Sequence, residues 1–179
     1  MSKTKVELAN ALKKLSHEKQ FDKISVSDIT LKCDLNRQTF YYHFQDKYEC
    51  LEWIYRHDCL LPLTKEMTAD NWENCIEKTL LMISKDKEFY INSISDNPRI
   101  FMNSFFYVLT DVFHNLIKDY DRENKMPLSA SFISEFLTTG IVGMTMNWIL
   151  KGMKDDPHVL VEQFKVMAKQ MREMKTLRS

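Results

Sequence analysis

Residues 25–47, SVSDITLKCDLNRQTFYYHFQDK, limit the possible folds more than any other part of this chain. The stretch holds two helix-start signals, which leave room for two short helices and a tight turn. Ser25 with Asp28 three residues on is an Asp form of the capping box. Ile29 and Leu31 to Cys33 supply apolar positions, and Cys33-Asp34-Leu35-Asn36 then interrupts them with residues that favour turns or caps. Asn36 is a good N-cap for a second helix over Arg37 to Phe44. Phe40 and Phe44, four apart, share a face and are expected to pack inward. Arg37, Gln38, Thr39 and Tyr41 are left facing outward. Their chemistry suits a duplex: Arg pairs with guanine, Gln with adenine, the Thr methyl meets thymine, and hydroxyls reach phosphate. The alternative is a helical hairpin whose aromatics are all core. Two tyrosines, a His and a Phe within four positions cannot all face inward.

A short helix, a turn, then Thr39-Phe40-Tyr41-Tyr42-His43-Phe44 with Lys47 three residues on resembles the N-terminal DNA-binding domain of the TetR family of bacterial transcription regulators. The resemblance covers roughly residues 5–56 and implies that Thr39, Tyr41, Tyr42 and His43 face DNA, with Lys47 holding a phosphate. On this reading Arg37, Gln38 and Thr39 read bases, while Ser27, Tyr41, Tyr42, His43 and Lys47 fix the helix on phosphates. There is one departure. Many members carry Gly in the turn where this chain has Asp34, and Asp adopts the left-handed conformation less easily. FLTTGIVGMTMNWILKG further on is also similar to a C-terminal subgroup that includes activators of dihydroxyacetone kinase operons.

A chain of 179 residues, 44% hydrophobic with only three Gly and four Pro, is expected to be compact and all-α. Acidic and basic residues balance at 25 each, so the chain as a whole carries no nucleic-acid footprint. Residues 1–47 hold nine basic side chains against six acidic ones, modest support for a DNA partner. Cys33, Cys50, Cys59 and Cys75 form no CxxC pair and nothing at the N-terminus resembles a signal peptide, which points to the cytoplasm. Lys85, Arg99, Asp111 and Lys118 break the apolar runs, so no membrane span is expected.

Helical spacing predicts a first helix over 3–18 and, after Asp46 and Glu49 repeat the capping logic, a long helix over 47–61 that Pro62 ends or kinks. Further helices are expected over 72–84, 87–94 and 99–120, then a polar link at 121–127, and helices over 128–150 and 159–174. This divides the chain into a helix-turn-helix domain, 1–46, and a helical ligand-binding and dimerisation domain, 47–179. The resemblance implies that the last two helices form a four-helix bundle across a two-fold axis. Phe136, Gly140, Gly143, Met144, Trp148, Phe164, Met167 and Met171 are its expected interface. An effector cavity, if present, would lie among the 72–120 helices, walled by Trp72, Met82, Phe89, Tyr90, Met102, Phe106 and Tyr107; those residues could equally fill the space themselves.

His57 and Cys59, with Cys50 and Asp58 near, do not share a helix face, so no metal site is expected. Neither a nucleophile with a His partner nor a Gly-rich phosphate loop is present, so no catalytic residue and no cofactor is expected. The sequence thus predicts a homodimer on a palindromic double-stranded operator, answering a small effector or an effector-carrying co-regulator protein. The alternative is a protein-interaction module that keeps a regulator-like fold, favoured by the balanced charge.

Overall fold

The structure, a computed structural model, describes residues 2–124 and 128–173, with side chains over 2–118 and 128–170. Among these every regular element is a helix. The N-terminal head comprises α1 (Lys3–Ser16), a 3-10 turn (Phe21–Lys23), α2 (Val26–Lys32), α3 (Arg37–His43) and α4 (Lys47–Ile54). All three sequence caps are made. The Asp28 amide donates to Ser25 Oγ at 3.1 Å and the Ser25 amide to Asp28 Oδ2 at 2.8 Å. Asn36 Oδ1 accepts from the Thr39 amide at 2.8 Å, and Asp46 Oδ1 from the amides of Tyr48 and Glu49, both at 2.8 Å. Phe21, Ile29, Phe40 and Phe44 are buried beneath Leu8, Leu12 and Leu15 of α1. Leu31 is not part of this core. It lies two positions after Ile29, on the opposite side of α2, and is 83% exposed.

The turn between α2 and α3 passes through Asp34 at φ 54°. The Leu35 amide donates to Thr30 O at 2.9 Å and the Asp34 amide to Leu31 O at 3.4 Å, the two bonds of a Schellman closure. The same closure recurs further on at Gly152, φ 84°, where Met153 donates to Trp148 O and Gly152 to Ile149 O, both at 2.9 Å. Asp34 therefore adopts the geometry that glycine takes at the second site.

The long helix expected over 47–61 runs further and changes its winding. After α4 come one π-helical stretch, Tyr55–Leu60, and α5 (Leu61–Lys65). The Leu61 amide reaches back five residues to Arg56 O. Pro62 lacks an N–H and its ring crowds the carbonyl four residues before it. A wider turn just ahead lets the helix pass Pro62 instead of ending there. Tyr55, in that turn, is fully buried among Tyr90, Phe101 and Phe105, with centroids 6.0, 5.4 and 6.3 Å away, and its hydroxyl pairs with Ser93 Oγ at 2.8 Å.

Around this centre pack α6 (Trp72–Lys85), α7 (Lys87–Asp96), α8 (Pro98–Asn124), α9 (Ala130–Leu150) and α10 (Pro157–Glu173). The predicted polar link begins later than expected, because α8 continues to Asn124 through charged residues that a helix accepts; residues 125–127 lie outside the described ones. Residues 98–118 do reach the length and apolar content of a membrane span, because Arg99, Asp111 and Lys118 are too few to lower it. Phe101, Phe105, Leu109 and Phe113 of that helix are nevertheless buried in the fold. α8 and α9 pack along one another, whereas α10 leans on α6, where His158 Nδ1 lies 3.0 Å from Glu77 Oε1.

Two outcomes test this packing. Asp34→Gly removes a Cβ from the left-handed region and should add about 0.5–1 kcal/mol of stability, roughly 1–4 °C in Tm for a chain of this size; a lower Tm in thermal unfolding would show that the Asp34 side chain itself holds the turn. Cys50 and Cys59 are buried, and burial pushes both thiols up, Cys59 to about 12. Burial pushes the Cys33 and Cys75 thiols up as well, so access decides: a thiol reagent at pH 8 should label native protein first at half-buried Cys33 and reach buried Cys50, Cys59 and Cys75 only on unfolding.

Candidate nucleic-acid interface

Seven residues of α3 carry the site. Phe40 anchors the helix by burial, and its ring meets those of Tyr41 and Phe44, each at 5.7 Å. Arg37, Gln38, Tyr41 and Tyr42 are exposed, Tyr42 at 84%, while Thr39 and His43 are half-buried. The Thr39 hydroxyl donates to Asn36 Oδ1 at 3.0 Å, so its methyl is what remains to offer a base. Arg37 lies over the Tyr41 ring, 5.9 Å from its centroid, and Nη2 approaches the Tyr41 hydroxyl at 3.4 Å. The pair preorganises a guanidinium and a phenol side by side. Ser27 is exposed in the first turn of α2. The structure thus places Ser27, Arg37, Gln38, Tyr41 and Tyr42 on the surface of the helix-turn-helix.

Lys47 is placed otherwise than the resemblance implies. Its Nζ donates to the carbonyls of Phe21, Asp22 and Ile24 at 2.8, 2.9 and 3.0 Å. An ammonium has three protons, and all three are engaged inside the protein. Burial also pulls the Lys47 pKa below the usual lysine value. Four other lysines of the head meet carboxylates. Lys13 meets Asp58 and Asp86 at 2.9 and 3.3 Å, Lys19 meets Asp28 at 2.8 Å, Lys23 meets Asp22 at 3.1 Å, and Lys32 meets Glu18. Lys19 and Ser25 together hold the Asp28 carboxyl well below the usual range.

The expected effector wall is not one site. Phe89 and Tyr90 are fully buried core, Met82, Met102 and Phe106 are half-buried, and Tyr107 is 72% exposed. Helical spacing identified them as apolar but gave no account of which neighbour each would meet. Trp72 alone of the set borders an apolar groove of about 330 Å³ between α8, α9 and α10. Its walls include Phe113, Phe136, Gly140, Met144, Phe164 and Met167, so part of the expected dimer set is gathered there. Phe136, Met144 and Met167 are each about half exposed, and a methyl group placed on Gly140 or Gly143 meets nothing within 4 Å.

Two expected dimer residues turn inward. Trp148 is buried and its Nε1 donates to Asp155 O at 2.9 Å, closing the loop to α10, and Phe164 is also buried. The side chain of Met171 lies outside the described residues. No group of three or more His, Cys, Asp or Glu that could hold a metal occurs among the described residues.

Spacing alone could not find Asn92 of α7. Its Nδ2 donates to Ser16 O at 2.6 Å and Lys19 O at 2.9 Å, and its Oδ1 accepts from the Phe21 amide at 3.0 Å. With the Lys13–Asp86 pair and His17 Nε2 at 2.6 Å from Asp86 Oδ1, it joins the head to α7 and the turn before it. The expected bridging helix is therefore one of two connections.

Residues 8–54 match the family model of bacterial regulatory proteins, tetR family, and residues 70–170 that of a transcriptional regulator C-terminal region. The chain is similar to the dhaKLM operon transcriptional activator DhaS of Lactococcus lactis subsp. lactis, 27% identical over 148 residues, 81% of this chain and 79% of that one. It is also similar to the uncharacterised HTH-type regulator YxbF of Bacillus subtilis, 25% identical over 155 residues, 84% of this chain and 40% of that one. A solved structure of the dihydroxyacetone kinase operon activator DhaS superposes with a TM-score of 0.72 at 26% identity, over 95% of this chain and 97% of that one. NalD, secondary repressor of a multidrug efflux pump in Pseudomonas aeruginosa, shares the fold at a TM-score of 0.61 and 18% identity, each chain 96% covered. Both halves of the chain thus carry the pattern of one family: it belongs to the TetR family of bacterial transcription regulators, DNA-binding proteins with a helix-turn-helix head.

Proposed function

We propose that this regulator works in the cytoplasm as a homodimer, which sets α3 of each subunit into successive major grooves of a palindromic operator. Half-sites would lie about 34 Å apart or a small multiple of it. The observation that carries the reading is the exposed row Arg37, Gln38, Tyr41 and Tyr42 on a helix anchored by Phe40 and capped by Asn36. Arg37, Gln38 and the Thr39 methyl read base edges; Tyr41, Tyr42, His43 and Ser27 fix the register on phosphate and sugar.

A second copy supplies the dimer through Phe136, Met144 and Met167, with Gly140 and Gly143 giving room for close approach of a partner helix. Trp148 and Phe164 support that face from within the protomer. Residues 47–179 form the regulatory and dimerisation part, and a small effector or a co-regulator protein acts on it to change the spacing of the two readers. An effector favouring the DNA-bound spacing raises operator affinity; one favouring another spacing lowers it.

Two experiments decide these points, with a duplex selected from a random-sequence library by the parent protein as the operator. Arg37→Ala and Tyr41→Phe should each weaken binding, Arg37→Ala by about 1–3 kcal/mol with relaxed base choice at one position; unchanged affinity in both sinks the assignment of α3. Met144→Glu puts a carboxylate on an exposed position of the proposed interface, so it should leave a folded monomer by light scattering, with operator affinity reduced at least about tenfold. A dimer of undiminished stability moves the interface elsewhere.

A further inference from the structure

Lys47 and Asn92 come from different elements and meet on one residue, Phe21. The Phe21 amide donates to Asn92 Oδ1 at 3.0 Å, and the Phe21 carbonyl accepts from Lys47 Nζ at 2.8 Å. The Phe21 ring is fully buried, with Lys47 Nζ 5.0 Å from its centroid. Lys47 is the first residue of α4, directly after the reader helix, and Ile24 directly precedes the cap of α2. Its 3.0 Å bond to Ile24 O therefore closes the chain between residues 24 and 47, the segment that contains α2 and α3. Asn92 holds the other side of the same turn through Ser16 O and Lys19 O, and it belongs to α7, outside the head.

We propose that Lys47 and Asn92 are positioning residues for DNA binding: they clamp the backbone of Phe21 from two sides, close the helix-turn-helix onto α4, and register it on α7. Neither touches the duplex. The clamp is fully satisfied. Three protons of Lys47 meet three carbonyls, and the Asn92 amide uses both a donor and an acceptor. A guanidinium is a planar fork and does not converge on three carbonyls as an ammonium does. A carboxylate at 92 would face the oxygens of Ser16 and Lys19 without a proton to offer.

The inference rests on the operator-binding reading above, and its test separates the two. Operator affinity is measured against salt for the parent, K47R, K47M and N92D, on the duplex selected by the parent. For a phosphate ligand K47R keeps its affinity, because Arg binds phosphate at least as well, and K47M lowers the salt slope by about 0.9 for each phosphate no longer neutralised, roughly 1.8 for the dimer. For a clamp K47R and N92D each lose about tenfold or more in affinity, and K47M loses affinity with the slope of the parent. If K47M does not fold, the K47R comparison decides. Distances between heads, from nitroxides on Lys14→Cys in a Cys33→Ser background, should broaden in N92D free of DNA. K47R with parental affinity, a shallower K47M slope, or an N92D with parental affinity and head distances overturns the clamp. A parent that selects no duplex overturns the reader assignment and the clamp with it.

Discussion

A seven-residue helix does not hold itself together in water, because its nucleus costs more than so few bonds return. Both helices of the reader, α2 and α3, have this length. Their survival depends on what is done at their ends and beneath them. Ser25 with Asp28, Asn36, and Asp46 satisfy amides at three helix starts, each cap typically worth about 1 kcal/mol. Phe40 and Phe44 then fasten α3 to the core, and Lys47 ties the far end of the motif to its beginning. The recognition surface is what remains of α3 once these demands are met.

The same economy governs the connection to the C-terminal helices. A continuous rod from Lys47 to Lys65 has to pass Pro62, and it does so by one turn of wider winding. That turn brings Tyr55 into an aromatic centre made by α7 and α8 and sets its hydroxyl on Ser93. Cys59, one turn on, meets the Tyr90 hydroxyl at 3.2 Å. A buried hydroxyl left without a partner costs about 1–3 kcal/mol, so these two pairs resist sliding of the rod along α7. Since α7 also holds the turn at Phe21, the rod and the head share a neighbour, and a displacement of α7 reaches the reader by both routes.

Much of the head was legible because its signals are local. A cap and the amide it serves are three residues apart, and Phe40 with Phe44 needs only the helical period to find a common face. Even the departure at Asp34 resolves locally, into the closure that Gly152 makes elsewhere. The C-terminal helices were legible in number and approximate extent but not in orientation. Trp148 and Phe164 read as interface because they are large and regularly spaced, yet the Trp148 indole has a proton to place and finds the Asp155 carbonyl within its own chain. Phe89 and Tyr90 fit either a cavity wall or a filled core by sequence, and they are the filling. Lys47 and Asn92 act over 23 to 76 residues of sequence, a distance at which no periodicity speaks.

The balanced charge, which at first favours a protein-binding module, has a structural cause compatible with DNA binding. Five lysines of the head are paired with carboxylates and a sixth with carbonyls. Their cost is a weak long-range field. Electrostatic attraction to phosphate is independent of sequence, so a head that pairs most of its lysines within the chain gives up non-specific affinity first. What is left is contact at close range by Arg37, Gln38 and the tyrosines, and it counts only when the helix arrives at the groove in the right orientation. A reader of this kind is more sensitive to the placement of its two heads than a strongly basic one. Small changes in the C-terminal helices then suffice to decide whether it binds.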